Sequence, residues 1–175
     1  NLKEEDELIN VFLTNGQADI IIGTKMGYAV RFNENQVRNM GRSATGVRGV
    51  NLRTDDHVVG ASVISDNQEV LVITEKGYGK RTLASEYATK GRGGKGMKTA
   101  NITEKNGPLA GLMAANGDED LMIITNTGVI IRTNVANISQ TGRATLGVKV
   151  MRLDKGAQIV TFTSVTADNE KEEDE

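Results

Sequence analysis

Seven residues, Lys90-Gly91-Arg92-Gly93-Gly94-Lys95-Gly96, combine four glycines with three cations. Without a Cβ, a glycine backbone approaches a ligand closely and leaves its amides open. Lysine and arginine beside such a loop suit it to phosphate, met by backbone N–H groups and cations together. The plainer alternative is a basic, mobile surface turn. Residues 91–96 also fit G-x-G-x-x-G, but a dinucleotide fingerprint needs a helix after it and an acid about 20 residues on. Here a cation-bearing β segment follows, and Met97 stands where a P-loop would need lysine.

The loop occupies a fixed point in a repeat. Three segments begin at Asp19, Glu69 and Asp120, run through an aliphatic stretch to Gly27, Gly77 and Gly128, and reach Arg31, Arg81 and Arg132. Ten residues after each arginine comes Gly41-Arg42, Gly91-Arg92 or Gly142-Arg143, then Gly46-Val47-Arg48, Gly96-Met97-Lys98 or Gly147-Val148-Lys149. The period is 50 and then 51 residues, as in propeller-like or solenoid arrays. Nine cations therefore align: Arg31, Arg81 and Arg132; Arg42, Arg92 and Arg143; Arg48, Lys98 and Lys149. In a radial array they would form a curved positive track, suited to a polyanionic backbone. The competing reading is a solvated, edge-guarding set of strand charges.

Composition supports a polyanion partner. The net charge is −2, but residues 1–7 and 168–175 hold ten of the 23 acids and two of the 21 cations, leaving a body with 19 cations against 13 acids. There is no cysteine, hence no disulfide framework or thiolate metal site. No apolar run reaches the length of a membrane span, and no signal segment opens the chain. His57, the only histidine, lies in a polar turn with no second histidine or carboxylate cluster to accompany it and reads as a surface residue. Asp19, Glu69 and Asp120 read as turn residues or partners for nearby arginine. Tyr28, Tyr78 and Tyr87 lack an acid–base partner, so no catalytic constellation is found, and no metal or cofactor is expected in the chain.

The elements that must position these residues are strands. Asp19–Thr24 and its counterparts read as buried strands, followed by a four-residue turn closed by a glycine at positive φ. Tyr28–Phe32 alternates. Gly46–Leu52, Gly96–Ile102 and Gly147–Leu153 read as strands carrying alternating cations. Val59–Ile64, Ala110–Ala115 and Ile159–Val165 close each unit, and Leu8–Leu13 matches them as the closing strand of a preceding unit. The expected fold is all-β: about three four-stranded blades of roughly 50 residues, arranged radially. The expected organisation is a polar segment at 1–7, repeats over 8–166 (units 19–64, 69–115 and 120–165), and a disordered acidic tail at 167–175, all within a longer array.

The pattern [DE]-aliphatic-Ile-Thr-x-x-Gly-Tyr-x-x-Arg, the Gly-Arg-x-x-x-Gly-[VM]-[RK] segment and the acidic tail resemble the C-terminal domain of the DNA gyrase A subunit. The resemblance runs from Leu8 to Val165. It implies a β-pinwheel of about six blades, in which neighbouring blades exchange strands. It further implies duplex DNA wrapped with positive handedness on a basic rim, supporting ATP-dependent negative supercoiling. The resemblance also implies that ATP, Mg²⁺ and DNA cleavage belong to other domains. The partners implied are the remainder of the A subunit, together with the B subunit, in an A2B2 assembly of the bacterial cytoplasm and nucleoid. The family's Q-R-R-G-G-[KR]-G box matches Lys90–Gly96 at five of seven places, departing at Lys90 and Gly91. That box belongs to the first blade, so the loop reads as a box-like segment of a later one. DNA contact carries over to the loop residues Lys90–Gly96, among them Arg92 and Lys95, and to Lys98; for Arg31, Arg42, Arg48, Arg81, Arg132, Arg143 and Lys149 it rests on alignment alone. The alternatives are the topoisomerase IV counterpart and a protein-interaction propeller, the latter favoured if the aligned cations prove inward-facing or paired with acids.

Overall fold

The computed structural model describes residue 2 and residues 4–165; the expected acidic tail at 167–175 lies outside them. Eleven strands form three antiparallel sheets. The first holds β1 (Asp19–Thr24), β2 (Tyr28–Asn33) and β3 (Val58–Ile64), the second β4 (Glu69–Thr74), β5 (Tyr78–Leu83) and β7 (Leu109–Ala115), the third β8 (Asp120–Thr125), β9 (Ile130–Asn134) and β11 (Ile159–Val165). Each outer edge belongs to the following unit. β6 (Met97–Lys98) pairs with Tyr28 and Ala29, and β10 (Val148–Lys149) pairs with Tyr78 and Gly79. The strand orders are thus β3-β1-β2-β6, β7-β4-β5-β10 and β11-β8-β9.

The local signals explain these elements. Gly27, Gly77 and Gly128 close the first hairpin of each unit at φ +82°, +81° and +82°, where residues with a Cβ are strained. The register breaks at the same point in each unit, at Gly23/Thr24, Ile73/Thr74 and Ile159/Thr161. β4 is buried along its whole length because it lies between two cores. Val70 and Val72 pack with Ile21, Ile64 and Leu109 on one side, and Leu71 and Ile73 with Leu121, Ile123 and Ile159 on the other. The inner strands meet closely. A Cβ at Gly60 would lie 2.4 Å from the Leu112 carbonyl oxygen, and one at Gly111 2.7 Å from the Phe162 ring.

Three expectations are corrected. Leu8–Leu13 is irregular and exposed rather than a strand, with Leu13 98% accessible. Its counterparts β3, β7 and β11 each pair with the first strand of their own unit, and no such strand stands beside it among the described residues; Asn10 Oδ1 only accepts from the Ala61 amide. Segments 96–102 and 147–153 shrink to two-residue strands, and 46–52 forms none. That position pairs with the second strand of the unit before it, which for 46–52 is not among the described residues. For the same reason the third sheet has three strands rather than four.

Candidate nucleic-acid interface

The aligned cations fall into three groups. Arg31, Arg81 and Arg132 do not form an exposed track: each is bound to the acid twelve residues before it. Arg31 is 5% accessible, with Asp19 at 2.8 Å and Asp66 at 2.7 Å. Its Nη1 also donates to the carbonyls of Ala84 (3.0 Å) and Tyr87 (3.3 Å) in the next unit. Arg81 repeats this with Glu69 at 2.5 Å and the Ile138 carbonyl at 2.7 Å. These two arginines tie unit to unit. Arg132 keeps its carboxylate, Asp120, at 2.7 Å but remains exposed. Burial alone would raise the Asp19 carboxyl, yet hydrogen bonds from Thr89 and Asn33 and the Arg31 charge hold it below its ordinary value.

Arg92 and Arg143 are half-buried clips. Arg92 Nη1 donates to the Arg48 carbonyl at 2.9 Å, and Arg143 Nη1 to the Lys98 carbonyl at 3.2 Å. Their main-chain amides donate to Gln36 Oε1 (2.7 Å) and Glu86 Oε2 (3.2 Å), side chains at equivalent points of the preceding unit. Arg42, Arg48, Lys90, Lys95, Lys98 and Lys149 are exposed.

The loop of residues 90–96 docks on the segment around Arg48. Gly93 N donates to the Gly49 carbonyl at 2.7 Å, and Asn51 N to the Gly94 carbonyl at 2.9 Å. Gly96, at φ +75°, packs so tightly that a Cβ would lie 2.8 Å from the Ala29 oxygen, whereas Gly91 faces open space. The docking sets the exposed side chains of Arg48, Lys90, Lys95 and Lys98 beside a loop in which Gly91 and Gly94 are exposed, while the amides of Lys90, Arg92 and Gly93 are donated within the protein. Arg53 joins them; its guanidinium lies 3.3 Å from the Tyr28 ring centroid and donates to the Lys95 carbonyl at 2.6 Å. At the next joint Lys149 lies 5.2 Å and Lys105 5.9 Å from the Tyr78 ring centroid. Sequence reasoning missed Arg53 and Lys105 because it sought cations recurring in all three units, and each occurs in one. Their shared neighbour, the tyrosine after the hairpin glycine, was the available signal.

The pattern of the family described as DNA gyrase C-terminal domain, beta-propeller, matches residues 18–65, 68–116 and 119–166. The chain belongs to this family. The DNA gyrase A subunit of Streptococcus pneumoniae serotype 4 is 76% identical over 173 residues, covering 99% of the chain and 21% of that relative. The DNA gyrase A subunit of Halalkalibacterium halodurans is 64% identical over 176 residues, again 21% of its length. The chain thus spans about a fifth of the curated relatives it matches. Among solved structures, a DNA gyrase A C-terminal domain superposes with a TM-score of 0.85 at 26% identity, covering 94% of the chain and 56% of that domain. The C-terminal domain of a DNA topoisomerase IV superposes at 0.88 over 95% of the chain and 53% of its own length; at 24% identity it speaks for the fold alone. The strands β6 and β10, which pair with the preceding unit, lie within the matched repeats 68–116 and 119–166.

Proposed function

We propose that the chain is a non-catalytic DNA-wrapping module of a gyrase A subunit. The observation that carries this is the exposed group Arg48, Lys90, Lys95 and Lys98 around the glycine backbone of residues 90–96. These cations, with Arg42 and Lys149, contact phosphates, so binding is nearly independent of sequence and falls with salt. Within the holoenzyme the wrap presents a DNA segment for strand passage. ATP, Mg²⁺ and cleavage chemistry come from other parts of an A2B2 assembly acting on bacterial DNA in the cytoplasm.

A protein-interaction scaffold is the second reading, and the pairing of Arg31, Arg81 and Arg132 with carboxylates favours it. Arg31 and Arg81 join blades, however, Arg132 pairs within its own unit, and none of the three bears on the six exposed cations. The deciding experiment ligates nicked circular DNA in the presence of the chain and measures the linking number. A positive shift that grows with protein supports wrapping. DNA sealed at its unperturbed linking number at saturating protein contradicts it.

A further inference from the structure

Lys80 lies at a place where the sister units carry hydrocarbon. In register it faces Val72, as Val30 faces Ile22 and Ile131 faces Ile123. Lys80 is 1% accessible, and its partners are not carboxylates. Nζ donates to the Gly142 carbonyl at 2.6 Å, to the Arg143 carbonyl, and to Thr145 Oγ1 at 3.2 Å. All three belong to the Gly-Arg loop of the third unit, so the ammonium sits directly beneath that loop.

Every described peptide bond is trans. In a planar trans peptide the N–H points opposite to its C=O. Turning the carbonyls of Gly142 and Arg143 down onto Lys80 therefore turns the amides of Arg143 and Ala144 outward. The Arg143 amide indeed reaches the exposed Glu86 carboxylate, at 3.2 Å. Successive outward N–H groups above a buried cation form a concavity suited to an anion. At the joint one unit earlier Val30 is too short to do this. A cavity of about 210 Å³ remains beneath Lys90, Gly91, Gly94 and Lys95.

We propose that Lys80 is a positioning residue: its ammonium holds residues 142–145 with their amides outward and keeps this loop ready for a DNA phosphate. The box-like loop at 90–96 lacks this strut, so one loop is pre-set and its sister adaptable. The proposal rests on the DNA reading above and deepens it.

The test is amide hydrogen exchange on the full-length gyrase A protein, with and without a 40-base-pair duplex, comparing wild type with Lys80→Met and Val30→Lys. In the free protein Lys80→Met speeds exchange of the Arg143 amide, held on Glu86 in the wild type, at least tenfold, the equivalent of one lost charge-assisted hydrogen bond. Peptides from β4 and β8 stay unchanged. Val30→Lys, with an ammonium placed in the cavity, slows exchange at 90–96. Duplex DNA protects 142–147 in the wild type and not in Lys80→Met, while protection at 90–98 persists. Wild-type protection of 142–147 declines from pH 7 to 9 as the amine loses its proton, and Lys80→Met shows no such step; Glu86 and Arg143 are the charged groups facing Lys80. Unchanged exchange at 142–147 in Lys80→Met, or a loosening shared equally with β4 and β8, overturns the proposal. So does unchanged exchange at 90–96 in Val30→Lys, which answers the question if Lys80→Met fails to fold. If DNA protects neither loop in the wild type, the DNA-wrapping function falls, and Lys80 as loop strut is judged by the free-protein comparison alone.

Discussion

Arg31 and Arg132 occupy equivalent positions and meet equivalent carboxylates, yet they do different work. Arg31 is buried between Asp19, Asp66 and two carbonyls of the next unit. Arg31→Met should cost about 3 kcal/mol, because it strands the mostly buried Asp19 carboxylate and the carbonyls of buried Ala84 and Tyr87, although Asp66 is exposed. Arg132→Met should cost under about 1 kcal/mol, as for an exposed pair. Urea unfolding of the two variants checks the contrast. Two buried groups shape the alkaline side of stability. Burial lowers the Lys80 amine from 10.5 to about 8, partly offset by Glu86. The unfolded chain then holds the extra proton between about pH 8 and 10.5, so stability rises with pH across that window. Burial raises the Tyr87 hydroxyl, bonded to Thr99 Oγ1 at 2.5 Å, from 10.0 to about 12. The unfolded tyrosine ionises first, so stability falls from about pH 10 to 12. The urea midpoint should therefore peak near pH 10 in wild type and lose its rising limb in Lys80→Met; a monotonic fall from pH 7 would contradict this. The acid twelve residues before each arginine was legible in the sequence as a pair. Lys80 was not, because its place in the repeat is otherwise apolar and nothing in the chain marks the carbonyls that receive it.

At the scale of elements, the joint between units is the recurring structure. Gly96 and Gly147 take the same role: a Cβ would lie 2.8 Å from the Ala29 oxygen at one and 2.7 Å from the Gly79 oxygen at the other, both at positive φ. Gly96→Ala should destabilise by about 2 kcal/mol through backbone strain and lift the 90–96 loop from its seat. Gly91→Ala, facing open space, should stay within about 0.5 kcal/mol. Thermal melts of both variants test this. The hairpins β1–β2, β4–β5 and β8–β9 could be read from aliphatic runs and the glycine closing each turn, since those signals are local. The segments 46–52, 96–102 and 147–153 look alike in sequence, but only the latter two hold strands. Whether such a segment pairs depends on the neighbouring unit, a fact no local pattern carries. The same dependence removed Leu8–Leu13 from the strands despite its apolar composition.

At the scale of the molecule, a chain of net charge −2 carries a basic body between acidic ends of its sequence. The charge sits at the surface joints around residues 48, 53, 90–98 and 149, not on the paired arginines of the blade interiors. If the acids at 168–175 compete with DNA for these joints, removing them raises duplex affinity at low salt, and unchanged affinity counts against that role. The repeat, the all-β class and the box-like loop were legible because three copies reinforce each landmark. Which cations face outward was not, since repetition weights Arg31 and Lys98 equally and only the fold separates them. The most direct test is a salt series of binding to a 40-base-pair duplex, wild type beside a Lys90/Lys95/Lys98→Ala variant. We expect log K to fall steeply with log salt in wild type, with a variant slope shallower by about 2–3, near 0.9 for each phosphate contact removed. An unchanged slope in the variant, or a wild-type affinity indifferent to salt, would contradict a DNA interface at this joint.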